Sequence, residues 1–318
     1  MQWLQDVWLN PPLLLVVVLL STLLPIPAAY HPLTLYRYFA FALGEKVNPD
    51  PSRPRQQLYI SGALATVLAT LPILALCYSL YLFSELPQLF DALLLLVCLD
   101  WQQRRTAALQ IQQALRRNQL SLAREQAAAL LLRRSNNLTE MGLSKALCES
   151  LLLRSATEVV ATLLWFLAGG GLAALSYRLL VVLQQQWNTK HVKCRHFGQP
   201  AARLVQLLSA PALLICCAAI ALQFGFRRCR QSCRAKPVNI GQLPYWLLCC
   251  SAAALQRSLG GPAYYGGVKI QRSRITQPQQ PTATDIITTL KLTRQNHLAM
   301  VMLATIILLL QLVWLVRY

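Results

Sequence analysis

LAMVMLATIILLLQLVWLV, the stretch from Leu298 to Val316, decides how this chain is to be read. It carries no charge, and Gln311 is its one strongly polar side chain. As a helix it would run about 28 Å, close to the roughly 30 Å hydrocarbon core of a bilayer. A surface helix of a water-soluble domain would show a polar face over that length. This one has none.

Working outward, the same reading applies to Leu13 to Ala29, Ile60 to Phe83, Val159 to Leu183 and Leu204 to Phe224. Pro72 sits inside the second of these and predicts a kink there. Val159 to Leu183 contains Gly169-Gly170-Gly171, which either lets another helix approach closely or breaks the span. Leu86 to Leu99 is apolar but short and carries Asp91, so it crosses, dips in or lies buried against its neighbours. Tyr245 to Leu255 is too short to span and reads as re-entrant or interfacial. No Lys or Arg precedes the first apolar run, which argues against a cleaved signal peptide and for a retained span.

Charge is nearly absent from these runs and gathers in two basic stretches, Asp100 to Arg154 and Phe226 to Asn296. That is the bilayer's signature, because a charge at its centre costs several kcal/mol. Charged residues make up only 13% of the 318 and hydrophobic ones 55%, with a mean hydropathy of +0.42. Soluble domains carry about a quarter charged residues. The net charge of +19 follows from the positive-inside rule and from attraction to anionic lipid, so nucleic acid is not an expected partner. Both basic stretches are expected on the cytoplasmic face of a bacterial inner membrane. The loop from Gln184 to Arg203, with Lys190, Lys193 and Arg195, would lie outside.

The expected order is 1–99 N-terminal membrane helices, 100–156 a basic cytoplasmic helical segment, 157–225 central membrane helices, 226–296 a basic cytoplasmic segment with a Gly-rich loop, and 297–318 a C-terminal membrane helix. The fold class is all-α: a polytopic membrane helical bundle with cytoplasmic helical segments. Trp101 to Arg134 lacks Gly and Pro and predicts helix, with an interruption at Asn118. Ser273 to Thr284, rich in Pro, Gln and Thr, predicts a flexible linker. The ten cysteines are scattered, several inside apolar runs, and imply no disulfide framework and no metal site.

Three places can hold chemistry. The first is the loop Leu259-Gly260-Gly261-Pro262-Ala263-Tyr264-Tyr265-Gly266-Gly267, followed by Lys269, Arg272 and Arg274. Its glycines let backbone N–H groups approach an anion, the nearby Lys and Arg would neutralise a phosphate, and Tyr264 and Tyr265 could stack on a flat ligand. The equal alternative is an interfacial turn with tyrosines at headgroup level. No Walker ending is present. The second place is His31-Pro32, as a site or as an interfacial helix start. The third is Glu149, as a base or metal ligand, or as the partner of Lys145 or Arg154.

Taken in order, these motifs resemble the CobD/CbiB family of cobalamin biosynthesis proteins. His31-Pro32 looks like the family's His-Pro, and Ala123-Arg124 and Arg133 sit as in its cytoplasmic helical segment. Lys145-Ala146-Leu147-Cys148-Glu149-Ser150 is similar to its Arg-Ala-Ala-Ile-Glu-Ser. Val159-Val160-Ala161, Trp165, Gly169-Gly170, Tyr177-Arg178, Phe197-Gly198 and Ala201-Ala202-Arg203 follow, and Leu259 to Gly266 is the most specific match. The resemblance implies amide ligation of aminopropanol or its phosphate to adenosylcobyric acid, driven by Mg-ATP. It implies Glu149 in catalysis and His31, Arg203, Gly260, Gly261, Tyr264, Tyr265 and Lys269 in binding a corrinoid or other anionic small molecule.

The chain departs from the family pattern in one chemical direction. In an ungapped reading after Glu149, the family's Glu-Asn falls on Leu153 and Arg154 and its Asp on Thr157. Its Asn-Thr-Leu-Asp falls on Val181 to Gln184, and its paired Asp after Arg203 on Val205 and Gln206. The acids suited to holding magnesium are thus absent in that reading. Two expectations follow: a ligase with a degraded active site, or a non-catalytic regulatory or corrinoid-binding protein on the same scaffold, as in the AmpE-type relatives. A coupled transporter is a weaker third, since only Asp91 and Glu158 lie within or beside the spans.

Overall fold

The structure is a computed structural model and describes residues 2–23, 31–131, 136, 138–233, 236–265 and 268–317. The end of the first apolar run, Arg133 and Gly266-Gly267 lie outside the described residues. The chain is mostly helical. Its elements are α1 (Gln2–Leu23), α2 (Pro32–Val47), α3 (Arg55–Leu82), α4 (Pro87–Cys98), α5 (Trp101–Arg116), α6 (Leu120–Leu130) and α7 (Glu140–Arg154). A π-helical turn, Ser155–Val160, leads into α8 (Ala161–Gln186), followed by α9 (Gln199–Phe224), α10 (Phe226–Ser232) and α11 (Gln242–Leu255). Four short strands, β1 (Leu259–Gly260), β2 (Ala263–Tyr265), β3 (Val268–Ile270) and β4 (Arg274–Ile275), precede α12 (Ala283–Arg317).

Among the described residues, four helical runs are long and apolar enough to cross a membrane: Arg55–Leu82, Glu140–Gln186, Gln199–Phe224 and Ala283–Trp314. Leu64, Leu68 and Leu71 on α3 and Met302, Ile306, Leu309 and Leu310 on α12 are exposed. Exposed apolar rows of that extent are what a lipid-facing helix presents. α4, at 12 residues, is too short to span, since it rises only about 18 Å.

The chain divides into two compact units: 1–102 with 158–208 and 298–318, and 103–157 with 209–297. The first unit is built round α8, which packs against α1, α2, α3 and α4. Leu33, Tyr36, Ala40, Ala65, Ala69, Leu94, Leu179 and Phe197 close its core. Trp187 seals the end of α8, donating its indole N–H to Ala40 O at 3.0 Å and meeting Phe197 edge-on at 4.9 Å.

α8 is not one straight rod. Gln185 donates to Glu158 Oε1 at 2.7 Å and Arg178 to Glu158 Oε2 at 3.3 Å. In a straight helix positions 158 and 185 would stand about 40 Å apart. The chain therefore reverses between them, and it does so at Gly169 (φ −155°, ψ 25°) and Gly170 (φ 70°, ψ −163°). Of the two roles open to the glycine triplet, breaking the span is the one it plays. Asp91 of α4 grips the turn, its Oδ1 accepting from Gly171 N at 2.9 Å. A Cβ on Gly171 would stand 2.7 Å from that oxygen, so only glycine fits.

In the second unit, α7 packs on α6, α11 and β1, and α10 on α11. Asn118, at φ 56°, ends the α5 run and separates it from α6, as the sequence predicts. β1 pairs antiparallel with β4, and β2 with β3. Ser273 to Thr284 is not the flexible linker expected of its composition. β4 lies within it, Ile275 is buried, and Ser258 holds Gln277 through hydrogen bonds of 2.9 and 3.0 Å. Arg257 then ties Asp285 at 2.8 Å.

Candidate functional site

Glu149 lies on the buried face of α7, three turns from a start capped by Thr139, whose hydroxyl accepts from Gly142 N. β1 comes to meet it. Gly260 N donates to Glu149 Oε1 at 2.8 Å, and Arg272 donates to Glu149 Oε2 at 2.8 Å while its Nε reaches Gly261 O at 3.1 Å. Both ionised side chains are nearly inaccessible, so the carboxylate is held by charge-assisted bonds in a low-dielectric setting. Gly260 (φ 72°) and Gly261 (φ 96°) adopt backbone that other residues resist, and a Cβ on Gly260 would stand 2.3 Å from Ser273 O. Lys145, one turn before Glu149, places its Nζ 3.7 Å from where a Gly261 Cβ would lie. Lys145, Arg272 and the Glu149 carboxylate thus surround a glycine corner.

The structure brings together Glu149, Gly260 and Gly261 of the expected site. Tyr264 and Lys269 face each other across the β2–β3 ladder, both exposed, and Tyr265 pairs with Val268. His31 is the buried N-cap of α2, its Nδ1 accepting from Leu33 N at 3.3 Å. Arg203 is exposed on α9, its guanidinium 5.3 Å above the Tyr59 ring centre and 3.4 Å from the Tyr59 hydroxyl. His31 and Arg203 belong to the first unit and the loop residues to the second.

Arg272, expected beside the loop as a cation for an anionic ligand, supplies the bond that holds Glu149. A second cluster escaped the sequence reading. In the first unit Arg178 is fully buried, 2.6 Å from Asp100 Oδ1 and 3.3 Å from Glu158 Oε2, and Arg37 reaches Asp100 Oδ2 at 2.9 Å. A charge inside an apolar run requires such partners. Arg178 within Val159 to Leu183 was the signal that could have led to it.

A family model described as CobD/Cbib protein matches residues 14–293. The chain belongs to the CobD/Cbib family. Among its relatives is a cobalamin biosynthesis protein CobD from Stutzerimonas stutzeri, 32% identical over 199 residues, which covers 62% of this chain and 65% of the relative. A protein of the same name from Chromobacterium violaceum is 29% identical over 196 residues, 61% and 63% of the two chains. This family member therefore spans just under two thirds of the length of those relatives. No solved structure matches it.

Proposed function

We propose that this CobD/Cbib-family chain works in cobalamin biosynthesis, binding a corrinoid at the glycine corner of its second unit with degraded amide-forming power. The reaction concerned joins aminopropanol or its phosphate to the propionate of adenosylcobyric acid, with ATP activating the carboxylate. One observation carries the reading: both oxygens of Glu149 accept hydrogen bonds, one from Gly260 N and one from Arg272. Protonating that carboxylate would break a buried ion pair, which makes Glu149 a brace more than a general base. Gly260 and Gly261, with Lys145 and Arg272 beside them, form the corner proposed for the ligand.

The family reaction calls for Mg-ATP, and the residues do not fit a protein-held magnesium ion. Among the described residues no three His, Cys, Asp or Glu side chains come together to hold a metal. Asp100, Glu158, Glu149 and Asp285 each lie in an ion pair with arginine. The basic segments are assigned to the cytoplasmic side of a bacterial membrane by the positive-inside rule.

Purified full chain supplied with Mg-ATP, adenosylcobyric acid and aminopropanol phosphate should bind the corrinoid and form little amide. Robust turnover would refute the degraded-site reading. A surviving ligase is the second reading, and the π-helical turn favours it. A π-turn accommodates a residue more than an α-turn. Glu158 stands in that turn, buried, one place beyond Thr157, where the ungapped count missed an acid. Turnover abolished by Glu158→Gln would establish that reading. No corrinoid binding at all would leave a regulatory protein.

A further inference from the structure

The second unit holds a cleft of about 640 Å³, lined among others by Arg228, Gln231, Gln256, Arg274, Thr276 and Gln277. That volume falls in the range of small-molecule sites. Among the described residues none that lines it is acidic.

Its walls are fixed. Arg274 lies opposite Gly260 in the β1–β4 pair, next to buried Ile275. Gln277 is held by Ser258 on one side and donates its amide to Ser232 Oγ of α10 at 2.8 Å on the other. Gln256 ends α11 in the left-handed conformation, at φ 54°.

The two arginines differ from the ion-paired ones. Arg178, Arg257 and Arg272 are each closed by a carboxylate within 3.3 Å. Among the described residues neither Arg228 nor Arg274 has such a partner. Two unneutralised guanidinium forks in a cleft with amide and hydroxyl donors and no carboxylate match a phosphate group. Among the described residues a divalent cation would find no carboxylate ligand there.

We propose that this cleft binds a phosphate-bearing ligand directly through Arg228 and Arg274, without a bridging metal ion. The phosphate could belong to a soluble compound or to a lipid headgroup, and the chemistry is shared. The inference stands apart from the corrinoid reading, because its test contains no corrinoid.

Pyrophosphate is titrated calorimetrically into the full chain in phosphatidylcholine nanodiscs containing EDTA. Saturable binding is expected, weakened about tenfold by Arg228→Gln and by Arg274→Gln, as losing one charged hydrogen bond predicts. Arg105→Gln, an exposed position on α5, removes the same charge and should leave binding unchanged. The two arginines sit on different elements, so Arg228→Gln decides the matter if Arg274→Gln loses helical circular dichroism. Repeating the titration with phosphatidylglycerol in the disc separates the sources: competition identifies a headgroup site, and undiminished binding a soluble ligand. Absent binding, binding that needs Mg²⁺, or equal weakening in all three variants would overturn the proposal.

Discussion

At Glu149 the glycine corner depends on one guanidinium. Arg272→Gln takes this counter-ion from a carboxylate 3% exposed, while Gly260 N still donates to it. Removing one partner of a buried pair costs about 3–5 kcal/mol, whereas replacing both by neutral groups costs far less. Arg272→Gln should therefore lower the denaturation midpoint strongly in detergent, and the double variant with Glu149→Gln should recover much of the loss. A double variant no better than Arg272→Gln would mean that Arg272 matters for something other than this charge. The sequence singled out Glu149, Lys145, Gly260 and Gly261 because acids are scarce and glycines cluster. It had no means of joining Glu149 to Arg272, which lie 123 residues apart. Gly170→Ala is a second case: φ 70° and a Cβ 3.1 Å from Asp91 Oδ2 both oppose it. It should destabilise the first unit by at least about 1 kcal/mol, read as a lowered melting temperature, with Ala168→Gly as the milder comparison.

Elements were legible where the signal is local and obscure where a distant partner decides. The break at Asn118 and the helical stretches on either side of it follow from composition and propensity. The reversal inside α8 does not, because a glycine triplet serves both close packing and chain breaking. What settles it is Asp91, 80 residues away, accepting from Gly171 N and so starting the helix anew. Ser273 to Thr284 misled for the same reason: its composition is that of a linker, but Leu259 and Gly260 supply the strand that fixes it. The reversal can be measured directly. Spin labels at Val159→Cys and Gln186→Cys, in a background freed of other reactive thiols, should report less than about 20 Å, where a continuous helix would give about 40 Å. The start of α7 is testable by simpler means. Thr139→Ala removes the acceptor for Gly142 N and should cost about 1 kcal/mol of stability by denaturant titration.

For the whole molecule, the distribution of charge made the membrane class readable, since lipid excludes charge irrespective of tertiary detail. Which stretches share a side is a harder matter, because it turns on how many runs cross. α4 is too short to cross and α8 turns back on itself, so counting apolar runs does not settle the number. The ion pair between Glu149 and Arg272 bears on it: the end of the first basic stretch touches the second, which predicts a shared side of the lipid. Epitope tags inserted after Asn118 and after Gln280 should therefore behave alike, shielded in intact spheroplasts and reached by antibody only after permeabilisation. Both tags reached without permeabilisation would reverse the orientation while keeping the shared side. One tag reached and the other shielded would separate Glu149 from Arg272 by a bilayer, and the glycine corner could not exist.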